Sequence, residues 1–292
     1  MHSTQSYMKQ IKEASAYITS RLNESGLSNT TKTKPVMGLV LGSGLGDMAE
    51  LVEQAVTINY SEIPHFPVST VEGHAGRFVI GTLEGKRVFV MQGRFHYYEG
   101  YSMKQVVFPI YVMKQLGVDS VVMTNAAGGM NRTFKAGDLM LISDHLNMTG
   151  DNPLIGPHDA ELGARFPDMS KAYDYEYRQL AHKLAREVYD AAGNPLVLQE
   201  GVYSGIAGPT YMTPGELTML ARLGGDAVGM STVGETIAAS HAGLKVLGIS
   251  CITDMAIGEE LEPLSHEQVV AVANRTKPKF ISLVRAFVRE VK

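Results

Sequence analysis

Val36-Met37-Gly38-Leu39-Val40-Leu41 runs without a polar side chain and breaks directly into Gly42-Ser43-Gly44-Leu45-Gly46. A short apolar run without alternation has the character of a strand buried on both faces. The glycines that follow let the backbone turn tightly, so that amides and a hydroxyl face an anion. Gly42, Gly44 and Gly46 alternate without the longer gap of a dinucleotide fingerprint, and the lysine of a nucleotide-binding P-loop is absent. By itself the run fits a tight structural turn as well as a phosphate cradle.

Similar apolar runs recur as Val88-Phe89-Val90-Met91, Val121-Val122-Met123-Thr124, Leu139-Met140-Leu141-Ile142, Asp226-Ala227-Val228-Gly229-Met230 and Val246-Leu247-Gly248-Ile249-Ser250. Strands of this kind need helical cover on both faces. Residues 102–116 and 176–192 supply it with apolar side chains at helical spacing, and Ile11, Ile18 and Leu22 mark an amphipathic helix over residues 7–22. Thr213, Pro214 and Glu216 form a capping box that starts another helix, closed by Gly224. Ser265 and Gln268 repeat the box, and a last helix is expected near 279–291. The expected fold class is α/β: one domain with a mixed, largely buried central sheet flanked by helices. Residues 1–34 form an N-terminal helix and polar joint of that domain, and 35–292 its body.

Composition agrees with this. The 292 residues are 45% hydrophobic, and 26 basic against 30 acidic residues leave a net charge of −4, too mild for polyanion binding by bulk charge. Neither a nucleic-acid nor a membrane partner is expected. Cys251 is the only cysteine, which excludes an intrachain disulfide and fits a reducing compartment. No apolar stretch has membrane-spanning length and the first 35 residues lack a signal-peptide core, so the expected location is cytoplasmic. His65, His74, His145 and His266 do not take zinc-ligand spacing, and no metal site is expected.

Glycine, proline, histidine, asparagine and aspartate collect in segments 61–77, 93–101, 125–137, 144–170 and 253–265, read as loops around the sheet. Ligands of α/β folds bind beyond the carboxyl ends of strands. Arg94 and His96 follow the run 88–91, and a guanidinium fork suits phosphate. Asn125-Ala126-Ala127-Gly128-Gly129 offers an amide and bare backbone, while Ser231, Thr253 and Asp254 follow two further runs. The bland alternative pairs Arg94 with Glu99 and spends His96 on a loop carbonyl.

The motifs Leu41-Gly42-Ser43-Gly44-Leu45-Gly46, Val71-Glu72-Gly73-His74-Ala75-Gly76-Arg77, Met91-Gln92-Gly93-Arg94-Phe95-His96, Thr124-Asn125-Ala126-Ala127-Gly128-Gly129, Ala207-Gly208-Pro209 and Val228-Gly229-Met230-Ser231-Thr232, in this order, resemble the trimeric class of purine nucleoside phosphorylases over about residues 35–285. The resemblance implies a nucleoside phosphorylase-like fold and reversible phosphorolysis of purine nucleosides to base and α-D-ribose 1-phosphate, in purine salvage. It implies inorganic phosphate as co-substrate, no other cofactor, and a homotrimer. It assigns phosphate to Ser43, His74, Arg94, His96, Asn125, Ala126 and Ser231, with Glu99 orienting His96. Ribose falls to Tyr98, Met230 and His266, with Leu162 reaching a neighbouring subunit's site. The base falls to Tyr211, Met212, Val228, Thr253 and Asp254, and His96 and Asp254 are the expected catalytic pair.

The chain departs from the family pattern around the base. Met212 stands where the family has Glu, Asp254 where it has Asn, and Gly234 where proline is common. Leu162 takes the place of a phenylalanine. A methionine cannot accept the N1–H of a 6-oxopurine, so a shift toward adenosine is expected. The alternatives are a phosphorylase that still prefers inosine or guanosine and a purine-nucleoside-binding homologue without turnover. A methylthioadenosine phosphorylase is disfavoured because His266 offers a polar partner to a 5′-hydroxyl.

Overall fold

The computed structural model describes residues 6–27, 34–42, 44–70, 75–189, 193–261, 263 and 265–292. In chain order these form α1 (Tyr7–Glu24), β1 (Met37–Leu41), β2 (Glu53–Asn59), β3 (Arg77–Leu83), β4 (Lys86–Gln92), α2 (Met103–Gln115), β5 (Ser120–Gly129), β6 (Leu139–Met148), α3 (Tyr175–Ala185), β7 (Leu198–Ile206), α4 (Pro214–Arg222), β8 (Ala227–Gly229), α5 (Val233–His241), β9 (Lys245–Met255) and α6 (His266–Glu290).

β1 has no polar side chain because both of its faces are buried. Met37, Leu39 and Leu41 point into a core built with Leu184 of α3 and Phe280, Leu283 and Phe287 of α6. Val40 points the other way, into a core built with Ile11 and Ile18 of α1, Val107 of α2 and Ile237 of α5. Alternation survives, but its two sides are two apolar layers rather than core and water. At the end of β1, a Cβ on Gly42 would lie 2.6 Å from the Thr124 carbonyl oxygen, so only a bare backbone fits beside β5.

The nine strands are mixed, in the order β2-β3-β4-β1-β5-β8-β7-β6-β9. β5 also pairs in parallel with β9, which closes β5, β8, β7, β6 and β9 into a ring. β5 pairs with β1 over Ser120–Met123, with β8 only at Gly128 and Gly129, and with β9 along its whole length. That extra pairing carries the ladder past the point where the sequence suggests loops. Asn125 and Asp254, expected beyond strand ends, therefore sit inside β5 and β9.

β2, β3 and β7 fall on residues where no strand is expected, and three stretches of helix also differ from expectation. The helix expected over 176–192 ends at Ala185. The two C-terminal helices are one 25-residue helix that contains Pro278. The helix over Val233–His241 begins at Thr232 and Glu235, whose capping box lies behind a strand of only three residues.

Candidate active site

A cavity of about 330 Å³ opens where β4, β5, β8 and β9 converge, and α6 covers it through Val269. Its polar end is built around Arg94, which leaves β4 and is only 1% exposed. The guanidinium grips Glu235 on both sides, with Nε donating to Oε1 at 3.1 Å and Nη2 to Oε2 at 3.0 Å. Nη1 donates to the Thr124 carbonyl at 2.7 Å and reaches Ser231 Oγ at 3.3 Å. This fixes one edge of the fork toward the cavity.

His96 stands beside it, 8% exposed. Its backbone N–H donates to Glu99 Oε1 at 2.7 Å, and its Nδ1 lies 3.1 Å from the same oxygen. Glu99 Oε2 accepts from the Thr70 N–H at 2.9 Å and the Thr70 hydroxyl at 2.5 Å. Burial works to raise the Glu99 carboxyl, but the hydrogen bonds from His96 and Thr70 outweigh it and hold it down at about 2. Glu99 is therefore an ionised anchor for the imidazole at neutral pH. Tyr98 stacks on the His96 ring with centroids 4.7 Å apart. Burial, with Glu99 nearby, pushes its phenol up to about 12, so it stays protonated.

Ser231 enters from the opposite wall. The Val233 N–H donates to the Ser231 carbonyl at 2.8 Å across Thr232, whose φ of 73° and ψ of −45° make a γ-turn. Asn125 Nδ2 donates to Thr232 Oγ1 at 2.9 Å, and Thr232 Oγ1 lies 3.1 Å from Ser231 Oγ.

The other end is apolar. Ile206, Leu217, Val228 and Ala256 form a small core of their own, against which Met212 and Met230 pack. Asp254 is the only carboxylate among the described residues that line the cavity. The Thr253 hydroxyl donates to its Oδ1 at 2.8 Å. Burial raises the Asp254 carboxyl above the ordinary range, with the Thr253 hydrogen bond opposing. A Cβ on Gly128 would lie 3.1 Å from Asp254 Oδ2 and 2.9 Å from the Ala256 methyl, so a glycine there is what leaves this wall its shape. Tyr211 stands at the mouth, 54% exposed.

Residues 36–289 match the family model of the phosphorylase superfamily. Purine nucleoside phosphorylase 1 of Bacillus subtilis is 53% identical over 280 residues, 96% of this chain and 98% of that one. The chain belongs to the purine nucleoside phosphorylases. The structure of the Schistosoma mansoni phosphorylase in complex with adenosine superposes with a TM-score of 0.86 at 39% identity, covering 98% of each chain. The same organism's phosphorylase in complex with inosine gives 0.87 at 37% identity, covering 98% of this chain and 97% of that one.

This phosphorylase brings Arg94, His96, Tyr98, Asn125, Ala126, Tyr211, Met212, Val228, Met230, Ser231, Thr253 and Asp254 to one cavity. Ser43, His74 and the His266 side chain lie outside the described residues. Leu162 is not at the cavity of its own chain; it lines a separate crevice with Tyr111 and His241. The bland pairing of Arg94 with Glu99 is overturned: the guanidinium takes Glu235, and Glu99 serves His96. Sequence reading missed Glu235, although Thr232 followed by Glu235 at capping-box spacing is a visible signal. No group of three metal-binding side chains occurs among the described residues, and no helix there is long and apolar enough to cross a membrane.

Proposed function

We propose that this phosphorylase works on purine nucleosides with a preference for 6-aminopurines such as adenosine, read by Asp254. The underlying reaction is that of its family, reversible phosphorolysis of a purine nucleoside to free base and α-D-ribose 1-phosphate. As the glycosidic bond breaks, positive charge grows on the ribose and negative charge on the purine. A phosphate held by Arg94, His96, Ser231 and the Asn125-Ala126 segment, with Ser43 and His74, stabilises the first and supplies the nucleophile. Tyr98, Met230 and His266 position the sugar. A guanidinium remains charged at neutral pH and acts as a clamp rather than a proton donor. Tyr211, Met212, Val228, Thr253 and Asp254 surround the base.

The observation behind the preference is the composition of the base end: apolar walls, Met212 in place of a carboxylate, and one carboxylate at Asp254. A 6-oxopurine brings an N1–H that Met212 cannot accept and an oxygen that an ionised Asp254 repels. A 6-aminopurine brings an amino group that donates to Asp254, and its N1 needs no acceptor. Leaving a buried polar group unpaired costs about 1–3 kcal/mol, which is roughly five- to over a hundredfold in efficiency. Asp254 has a second use in its raised, protonated form, donating to N7 of the departing base. Comparison of kcat/KM for adenosine, inosine and guanosine in the parent and in Asp254→Asn tests the reading. Adenosine is expected to lead in the parent and to lose its lead in the variant. A parent that strongly favours inosine or guanosine rejects the preference, and an unchanged ratio in the variant rejects the role of Asp254.

The same reading makes the protein a cytoplasmic homotrimer in which Leu162 closes a neighbour's ribose site against water. Met148, Ile155 and Phe166, 41%, 65% and 87% exposed, place apolar surface on the same stretch of chain. Sedimentation at assay concentration is expected to give a trimer, and a fully active monomer rules this out.

A further inference from the structure

The anion end of the cavity is assembled from two parts of the chain that have no local reason to meet. Arg94 follows β4, and Ser231 precedes α5. Glu235, on the first turn of α5, binds Arg94 and the backbone of Thr232, the residue after Ser231. Its two oxygens take Nε and Nη2 of Arg94 at 3.1 and 3.0 Å, and Oε2 also accepts the Thr232 N–H at 2.8 Å. Glu235 is 3% exposed and Arg94 1%, so water does not compete for either group.

Two features give this carboxylate more than a structural part. A free arginine side chain samples many rotamers, whereas Arg94 is held on two of its three nitrogens by Glu235, so that Nη1 is the edge turned toward Ser231. Thr232 has a φ of 73°, a region that a residue with a branched Cβ rarely adopts. Strain of this kind persists where the surroundings over-determine it, and the Glu235 hydrogen bond is one of those constraints. The same carboxylate therefore sets the angle of the guanidinium and the path of the turn that presents the Ser231 hydroxyl.

We infer that Glu235 is the positioning residue of the phosphate subsite, acting through Arg94 and the Ser231-Thr232 turn without touching substrate itself. The inference rests on the assignment of phosphate to Arg94 and goes beyond it. Preorganisation of a binding group within a fraction of an ångström governs how much of its charge reaches the transition state. Loss of Glu235 is thus felt by phosphate and not by the nucleoside, whose base end lies on other elements.

Steady-state kinetics with phosphate and nucleoside varied independently tests this on the full-length protein. Glu235→Gln keeps the size of the side chain but can accept from only one nitrogen of the fork. It is expected to lower kcat/KM for phosphate at least tenfold while the KM for nucleoside stays within about twofold. Arg94→Ala is expected to lower kcat/KM for phosphate at least tenfold. Adding E235Q to R94A is expected to change it by no more than about twofold further, because a group that acts through Arg94 has nothing left to orient. Glu235→Asp keeps the charge at a shorter reach and is expected to fall between parent and E235Q; it carries the same comparison should E235Q fail to fold. If R94A loses phosphate efficiency and a folded E235Q or E235D does not, the role of Glu235 is overturned and the phosphate assignment stands. Equal losses toward phosphate and nucleoside, or independent losses that multiply in the double variant, also overturn it. If R94A leaves phosphate kinetics unchanged, the assignment beneath the inference falls, and the inference with it.

Discussion

Arg94 and Asp254 line the same cavity under opposite conditions. Arg94 is more deeply buried, yet its charge is answered by Glu235 through Nε and Nη2, while Nη1 donates to the Thr124 carbonyl and to Ser231. Asp254 is surrounded by Val228, Ala256 and the Gly128 backbone, receives one hydroxyl from Thr253, and has its carboxyl raised by burial. One end is finished before the ligand arrives; the other keeps an unbalanced group for the ligand to balance. Under the proposed assignment of phosphate to the Arg94 end and purine to the Asp254 end, the contrast suits the two tasks, since inorganic phosphate is the same in every turnover and the purine is what has to be distinguished.

The contrast is tested most severely at its finished end. Breaking a buried ion pair from one side leaves the other charge stranded, at about 3–5 kcal/mol. Arg94→Ala is expected to lose stability in that range because Glu235 is left alone at 3% exposure, as read from urea unfolding. A loss below about 1 kcal/mol means that Glu235 is rehydrated or repacked and that this end is not rigid.

The unbalanced end should respond by changing its preference while the fold survives. Met212→Glu supplies an acceptor for N1–H, and is expected to raise kcat/KM for inosine relative to adenosine by roughly five- to a hundredfold. Met212 is half-buried and packs on a satellite core, so the new carboxylate has a path to water. An unchanged ratio means that position 212 does not read the base.

The smallest effect is on stability against pH. A raised Asp254 carboxyl makes the native state hold a proton that the unfolded chain releases. Stability of the parent therefore declines as pH rises from the ordinary carboxylate range through the raised value in the folded protein. Asp254→Asn removes that decline. Its Tm is expected to match the parent near pH 4 and exceed it by on the order of 1–2 °C at pH 7–8. A gap that is constant with pH assigns the difference to packing instead.

These two ends were unequally legible in the chain. Arg94, His96, Asn125, Ser231 and Asp254 were recognisable because each lies on or just after an apolar run, and an apolar run can be read from neighbours alone. Glu235 was not, because its partner is 141 residues away and nothing local distinguishes an ordinary capping glutamate from one that grips an arginine. The edge strand β2 escaped because most of its side chains face water. Closure of the ring through β5 and β9 is likewise a statement about pairing, which side-chain patterns do not carry. The two C-terminal stretches are one helix that runs through Pro278, with Phe280, Leu283 and Phe287 beyond it anchored in the core.

β5 has ten residues and β9 has eleven, and the difference is absorbed where Ala127 pairs with Ile252 while Gly128 already pairs with Asp254. Thr253 is the surplus. Because the bulge takes up that residue, Ile252 and Met255 share the side of the sheet facing the larger core, and Asp254 is turned to the opposite side, toward Val228 and Ala256. The facing of the Asp254 carboxylate is thus a matter of parity. It depends on how the strand absorbs its surplus residue and not only on which residues the strand contains: in a regular ladder without the bulge, Asp254 would share the side of Ile252 and face the larger core.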